Sequence, residues 1–358
     1  MRAYILTILF TISTYLSVHA LPVLYDSALD EQVKVKSANF SLMPYLSYNR
    51  NLKFMFGVVP MAMYKLNKED SISPKSLSGI TGVYTSNNSY ILGVFNKFYF
   101  SEDRWRSTVY VFNGDISSQF FLNDFSSVAF YDYTTNVLMA SVGIQRRVIP
   151  GLYGGVTYIY AQYDTEYENN ISPPTSTETS GLEINAQYDY RNDVYYPSSG
   201  RLIDAKWIHY SEWLGNEAQA NRINAFYNTY FPIRDKKDVL AARFSGFFGL
   251  GSIPFEQQTI VGGTDLRGYA EGKYRGDIVV ALQAEYRLNL ARRFGLVGFA
   301  GLATLYGSDN EEFNGDLLPG GGVGLRYRAF KDIKFNVGID AALGKDDWSL
   351  NFRIGEAF

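Results

Sequence analysis

The sequence has 358 residues, of which 46% are hydrophobic and 16% aromatic, and its formal net charge at pH 7 is −3. This slightly acidic balance argues against nucleic acid as a partner, because nucleic-acid-binding domains present basic faces. Cysteine is absent and histidine occurs twice, so disulfides, thiolate metal sites and thiol nucleophiles are excluded.

The first twenty residues have the pattern of a secretory signal peptide. Arg2 precedes the apolar run "AYILTILFTISTYL", and the small-residue ending "SVHA" closes at Ala20, as such peptides do before their cleavage site. A membrane anchor is the alternative, but it needs about 20 predominantly apolar residues, and this run is shorter. We therefore predict a signal peptide at 1–20, a mature chain that starts at Leu21, and a short periplasmic segment at 21–38.

The rest of the chain alternates between apolar and polar residues with a period of two. In "DIVVALQAEYRLNL", which begins at Asp277, the even positions are apolar and most of the odd positions are polar. This alternation is typical of a strand with one apolar face. This alternation therefore predicts a protein made mostly of strands.

Sixteen such segments follow one another along the chain. The first lies near 39–48, the fifth and sixth near 103–119 and 133–149, and the last near 346–358. Short turns such as "RDKKD" at 234–238 alternate with long polar loops such as "GSDNEEFNGDLLPG" at 307–320. These features predict an all-β fold, a 16-stranded antiparallel transmembrane β-barrel over residues 39–358. A large secreted β protein is the alternative.

Catalysis has little support in the sequence. His209 is the only histidine left once His19 leaves with the signal peptide, and it lies on the apolar side of its predicted strand. A lipid-hydrolysing barrel would need a histidine within reach of a serine nucleophile. No cluster of histidines and acids has the spacing of metal ligands. We therefore expect no enzyme, no catalytic residue, no metal and no cofactor.

The connection between the eleventh and twelfth predicted strands, which we call loop six, contains "VGGTDLRGYAEGKYRGD" at 261–277. It does not match a phosphate-binding loop, because Gly263 and Gly268 have the glycine spacing but Tyr269 stands where a lysine is required. The Arg-Gly-Asp triplet at 275–277 is explained better by chance than by adhesion.

Loop six resembles the sixth extracellular loop of the BamA/TamA superfamily, the bacterial surface antigen barrels. The matching residues are Leu266, Arg267, Gly268 and Tyr269. In that family the loop folds back into the barrel lumen. The resemblance therefore implies that loop six is folded into the lumen in this chain as well.

Further motifs of the same family follow in the same order, from about Tyr188 to Phe358. "YDYRNDVYYPSSGR" at 188–201 is similar to the family's periplasmic turn, and the motif residues are Asp189, Arg191, Pro197 and Gly200. "QAEYR", "GGVGLRYR" and the closing "NFRIGEAF" complete the set. By this resemblance the last segment carries the signal that barrel-assembly machinery recognises, formed by Trp348, Leu350, Phe352, Ile354 and Phe358.

One departure concerns the partner of the loop arginine. The family's Phe-x-Asp on the thirteenth strand is "FAG" here, so Gly301 stands in place of the acid. An unpaired arginine in a confined lumen is costly, which favours a carboxylate partner. Strand parity directs Glu285 and Asp340 into the lumen. By the resemblance, Glu285 matches the family's acid in "QAEYR", so we predict that Arg267 pairs with Glu285 first and Asp340 second. A solvated surface loop is the alternative.

The resemblance implies a role at the outer membrane of a Gram-negative, double-membrane bacterium. It implies protein insertion or translocation, in which a weak seam between the first and last strands accepts a client strand by β-augmentation. The predicted segment 21–38 is too short for the family's periplasmic POTRA domains, so periplasmic factors are expected partners, with client outer-membrane proteins and outer-membrane lipid, including lipopolysaccharide. A gated or plugged pore, or a structural barrel, is the alternative function.

Overall fold

The computed structural model describes residues 38–49, 52–124, 127–168, 172–217, 219–235, 237–251, 253, 258–269, 273–290, 293–330 and 333–358. The predicted signal peptide, Leu21 and the predicted segment up to residue 37 lie outside the described residues.

The described strands, in chain order, are β1 (Ala38–Asn49), β2 (Lys53–Tyr64), β3 (Ser76–Thr85), β4 (Tyr90–Phe100), β5 (Trp105–Asp124), β6 (Ser127–Ile149), β7 (Leu152–Tyr167), β8 (Thr175–Asp189), β9 (Gly200–Tyr210), β10 (Ala220–Ile233), β11 (Asp238–Gly251), β12 (Thr259–Ile260), β13 (Arg275–Gly276), β14 (Ile278–Asn289), β15 (Phe294–Tyr306), β16 (Leu318–Arg328), β17 (Asn336–Gly344) and β18 (Asp347–Ile354). Two short 3₁₀ helices, Glu212–Leu214 and Glu311–Phe313, lie between strands. In this part of the chain, no helix is long and apolar enough to cross a membrane.

Sixteen of these strands form one closed antiparallel barrel, in which β1 meets β18. The two remaining strands, β12 and β13, pair with each other within loop six. The prediction of a 16-stranded antiparallel barrel is therefore confirmed, whereas the small sheet in loop six was not predicted.

The alternation of residues along the strands places mainly apolar side chains outside the barrel, whereas the inward side chains include many polar and charged ones. On β14 the side chain of Leu282 is 54% exposed, whereas those of Gln283 and Glu285 are 1% exposed. On β17 and β16, Asp340 and Arg326 are likewise buried. A barrel with an apolar exterior and a polar interior is the arrangement of transmembrane barrels.

The last strand is shorter than the sequence predicted. The predicted segment ran to residue 358, but β18 ends at Ile354. Gly355 then takes a φ of +85°, a left-handed conformation that glycine adopts readily. Because this turn takes residues 355–358 out of the strand, the predicted extension to Phe358 is wrong. We call residues 355–358 the tail.

Candidate functional site in the lumen and at the seam

The arginine of loop six makes a dense set of polar contacts with the barrel wall. Its Nη2 lies 2.8 Å from Glu285 Oε2, and its Nη1 lies 2.9 Å from Asp340 Oδ2. Its Nε donates to the Gln283 Oε1 atom at 3.0 Å. The Arg267 side chain is fully buried, as are both carboxylates. The structure thus brings together the loop arginine and both of the acids named from strand parity.

Glycines in the wall make room for the loop. The Arg267 guanidinium carbon lies 3.5 Å from the centre of the Phe299 ring, a stacked cation–π arrangement. A Cβ atom at Gly301 would lie 2.9 Å from Leu266 Cδ1, and one at Gly320 would lie 2.5 Å from the Arg267 carbonyl oxygen. Gly301, at the position of the family's acid, therefore serves here as space for Leu266.

The next two residues of the loop are fixed against β16 and β17. Gly268 has a φ of +114°, and a Cβ atom there would lie 2.4 Å from the Leu343 carbonyl oxygen. The Tyr269 hydroxyl donates to the Pro319 carbonyl and accepts the Lys345 N–H at 3.0 Å. Only glycine allows this approach of two backbones.

The face of the wall that loop six contacts is the inner one. On the same strands the outward side chains are exposed, with Leu302 at 44% and Leu343 at 70%. Residues 266, 267 and 269 are instead buried against the side chains of the opposite face. In a closed barrel that face surrounds the lumen.

Three more arginines share the carboxylates that bind Arg267. Arg287 Nε donates to Glu285 Oε1 at 2.8 Å. Arg326 donates through both terminal nitrogens to Asp340, and Arg353 Nε donates to Asp340 Oδ2 at 3.0 Å. We call these four arginines, the two acids and Glu356 the loop-six network.

The tail completes this network. Arg326 Nε donates to the Glu356 carboxylate at 3.0 Å, and Asn336 donates to it at 2.7 Å. Arg287 Nη2 donates to the main-chain oxygen of Phe358 at 2.6 Å. The sequence did not indicate Glu356 as a partner of buried arginines, because residue 356 falls within the predicted last strand.

The five residues named as an assembly signal lie in two places. Trp348, Leu350, Phe352 and Ile354 lie on β18. Phe358 instead packs against a buried cluster of side chains that consists of Tyr196, Tyr230, Val239 and Ala241. In the folded barrel, Phe358 is therefore separated from the strand residues with which it was grouped.

The turn motif at 188–201 is tied together by a second charged group. Arg191 donates to Asp189 through Nε and Nη2, both at 2.8 Å, and Arg106 Nη1 donates to Asp189 at 2.8 Å. Burial lowers the pKa of Arg191, but its hydrogen bonds to Asp189 outweigh this, so its pKa lies above the ordinary value. Gly200 has a φ of +96° and no space for a Cβ atom.

The turn also reaches the loop-six network and the wall near the seam. The Pro197 carbonyl accepts a hydrogen bond from Arg287 Nη1 at 3.0 Å. The Tyr195 ring lies 5.6 Å from that of Phe335. It packs on an apolar group that we call the seam cluster, formed by Met43, Val59, Met61, Met63, Leu77, Phe330, Phe335 and Val337.

Side chains bridge the seam between β1 and β18. Among the described residues, Tyr48 and Leu350 are the only pair in register across it. The Ser47 hydroxyl donates to the Leu350 carbonyl at 2.7 Å and accepts the Phe352 N–H at 3.3 Å. The Tyr48 ring stacks on that of Trp348, with centroids 4.8 Å apart. Sequence reasoning named the seam but not Ser47, because no local pattern marks such a bridge.

Fold and site together define a transmembrane β-barrel with a buried loop arginine on its inner wall. The Omp85 superfamily domain matches residues 75–358, so the chain belongs to the Omp85 superfamily. The resemblance found in the sequence is confirmed, and membership indicates a bacterial outer-membrane protein. Among the described residues, no group of three or more histidines and acids could hold a metal ion.

Three solved structures have a similar fold. BamA from Haemophilus ducreyi lacking POTRA domains 1–3 is 14% identical, with a TM-score of 0.56, over 89% of this chain and 70% of that chain. CdiB from Acinetobacter baumannii is 14% identical, with a TM-score of 0.58, over 89% and 59%. CdiB from Escherichia coli is 9% identical, with a TM-score of 0.64, over 92% and 64%. This chain thus spans less than two thirds of either CdiB chain. No curated protein matches its sequence.

Proposed function

We propose that the protein inserts or translocates other polypeptides at the outer membrane of a Gram-negative bacterium, and that a client strand enters at the seam. The observation that carries this proposal is the difference between the two sides of β1. All 12 residues of β1 pair with β2, whereas only Tyr48 has a partner in register on β18.

The edge of β1 that faces β18 has the chemistry to receive a strand in the bilayer. Backbone N–H and C=O groups at a sheet edge need hydrogen-bond partners in lipid, so an added strand that pairs with this edge is favoured. The outward side chains of β1 are apolar, with Phe40 80% and Leu42 66% exposed. A client strand with the same alternation would pair with the edge and continue the apolar exterior.

This function requires strand pairing and no covalent chemistry, so we do not assign an enzymatic activity. The partners are client outer-membrane proteins, periplasmic factors that deliver them, and outer-membrane lipid, including lipopolysaccharide around the apolar exterior. Loop six would brace the inner wall while the seam opens. The C-terminal strand residues would serve as the signal for the barrel's own assembly.

A gated or plugged pore is the second candidate. It is favoured by the three segments that reach the inner wall, namely loop six, the tail and the turn at 190–199. Loops inside a barrel are a common form of plug. In that case the seam would stay closed, and movement of the plug would open a path for ions.

Reconstitution into liposomes separates the two candidates. The purified full chain is placed in liposomes, and the folding of a separately prepared eight-stranded outer-membrane barrel is followed by its heat-modifiable gel mobility. We expect faster folding than in empty liposomes or in liposomes with the heat-denatured chain. Ion conductance without any acceleration of folding would support the pore and contradict insertion.

A further inference from the structure

We infer that Asp340 ties loop six to the last strand, so that the position of loop six controls how firmly the seam is closed. Asp340 lies on β17, next to the seam strand β18. This inference rests on the proposed function, since it assigns a control to the same seam. It concerns a positioning residue that holds other groups in place.

A single oxygen of Asp340 joins the two segments. Its Oδ2 accepts from Arg267 Nη1 of loop six at 2.9 Å and from Arg353 Nε of β18 at 3.0 Å. The carboxylate is fully buried, where charged hydrogen bonds are strong and a lost partner is costly. Movement of either arginine therefore changes how strongly the shared carboxylate binds the other arginine.

The wall around Asp340 leaves room for this convergence. A Cβ atom at Gly324 would lie 2.0 Å from Asp340 Oδ1, and one at Gly338 would lie 2.5 Å from Arg326 Nη1. Larger residues at these two positions would displace the carboxylate or the arginine beside it. The backbone thus accommodates Asp340 as the common acceptor of Arg267, Arg326 and Arg353.

The ion pair between Asp340 and Arg353 matters for β18 because this strand has many residue pairs with only one of its two neighbours. β18 pairs with β17 from Asp347 to Ile354, but it has a single residue pair with β1. A side chain that holds Arg353 therefore adds a contact that helps to fix the orientation of this strand.

Glu285 provides an internal comparison. It also binds Arg267, at 2.8 Å, but its other hydrogen bond goes to Arg287 on its own strand. Of the ion pairs in the described part of the chain, those of Glu285 do not reach β18, whereas those of Asp340 do. Removing one carboxylate or the other thus separates loosening of loop six from loosening of the seam.

Hydrogen–deuterium exchange on the full chain in nanodiscs, without a client, tests the coupling. Exchange is followed in residues 264–269 and in residues 347–354. We expect Asp340→Asn to raise the exchange rate of both segments on the order of tenfold. Glu285→Gln should raise the exchange rate in loop six alone. Asp340→Glu, which keeps the negative charge, should leave the exchange rates of both segments closer to those of the unchanged chain than Asp340→Asn does.

Arg353→Gln keeps the proposal testable if Asp340→Asn does not fold. It should raise exchange in β18 and, because Arg267 then no longer shares Asp340 with Arg353, leave loop six as protected as before or more so. Unchanged β18 exchange in both Asp340→Asn and Arg353→Gln would overturn the coupling, as would an equal rise in β18 exchange with Glu285→Gln. Since no client is present, these results are independent of the liposome folding assay that tests the proposed function.

Discussion

The β5–β6 hairpin and the β1–β18 seam belong to the same closed sheet but are held together in different ways. All 20 residues of β5 pair with β6, so the backbone ladder alone fixes that part of the wall. Across the seam one pair of the described residues is in register, and side chains bridge the two strands around it. These include the Ser47 hydroxyl, the stack of Tyr48 on Trp348 and the seam cluster.

Closure of the seam therefore depends on which side chains are present, whereas the β5–β6 hairpin is held together by backbone pairing. Every residue except proline can donate a backbone hydrogen bond to a ladder, so most substitutions in β5 and β6 leave the pairing intact. Substitutions in the lumen near the seam remove the contacts that close it. The predictions below compare the two situations, beginning with the largest expected effect.

Arg267→Ala should lower the free energy of unfolding by about 3–5 kcal/mol, because it leaves two buried carboxylates without this partner. Urea-induced unfolding in micelles measures this value. The control is Arg104→Ala at the turn between β4 and β5, where the arginine side chain is 60% exposed and lies 3.8 Å from Glu102. We expect a change below about 1 kcal/mol there. Equal losses of unfolding free energy in both variants would show that the loop-six network stabilises the barrel no more than an exposed ion pair does.

Asp189→Asn should cost about 3 kcal/mol, since it removes the carboxylate shared by Arg106 and Arg191 and charged hydrogen bonds are strong. The turn that carries Tyr195 should then loosen over the seam cluster. Hydrogen–deuterium exchange of residues 190–199 and urea unfolding report the two effects. Glu102→Gln, an exposed acid in a neighbouring turn, is the matched control and should change neither signal. If Asp189→Asn changes neither signal, the turn does not stabilise the wall near the seam.

Gly268→Ala should cost about 2 kcal/mol, because the new Cβ atom would press on the Leu343 carbonyl and overpacking forces the backbone to move. Gly263→Ala is the control within the same loop: it also has a positive φ, of +61°, but no atom lies within 4 Å of the added Cβ atom. Its cost should stay near 1 kcal/mol. Urea unfolding ranks the two variants, and the reverse order would contradict the close approach of loop six to β17.

Ser47→Ala should cost only about 1 kcal/mol in stability, yet it should raise the hydrogen exchange of β18 amides. Ser107→Ala on β5 is the matched control, because the Ser107 hydroxyl likewise donates to a main-chain oxygen of the next strand, that of Gly143, at 2.9 Å. There the ladder remains, so exchange of β6 amides should not change. Similar increases in both strands would mean that the serine bridge has no special part at the seam.

The barrel and its strand count could be predicted because period-two alternation is a local property of the sequence. On β14, for instance, the polar residues Gln283, Glu285 and Arg287 share the buried face, as the alternation predicted. The pairing of Arg267 with an acid followed from the cost of a buried cation, and Glu285 and Asp340 followed from parity. The functional role assigned to these residues and to the turn motif stays a prediction.

Other features could not be read from local patterns. The fifth and sixth strands were predicted at 103–119 and 133–149, but the ladder continues to Asp124 and resumes at Ser127, because backbone pairing does not require alternating side chains. The tail contacts and the Ser47 bridge join residues that are distant in sequence. They depend on how the closed barrel brings its two ends together.

Two matched disulfides test the central claim most directly, since the chain has no cysteine of its own. Tyr48→Cys with Leu350→Cys locks the seam, and Val111→Cys with Ala140→Cys, a pair in register between β5 and β6, locks the ordinary wall. We predict that oxidation of the seam pair abolishes acceleration of client folding in liposomes, that a reductant restores it, and that the wall pair has no effect. Full activity of the oxidised seam variant would contradict the account.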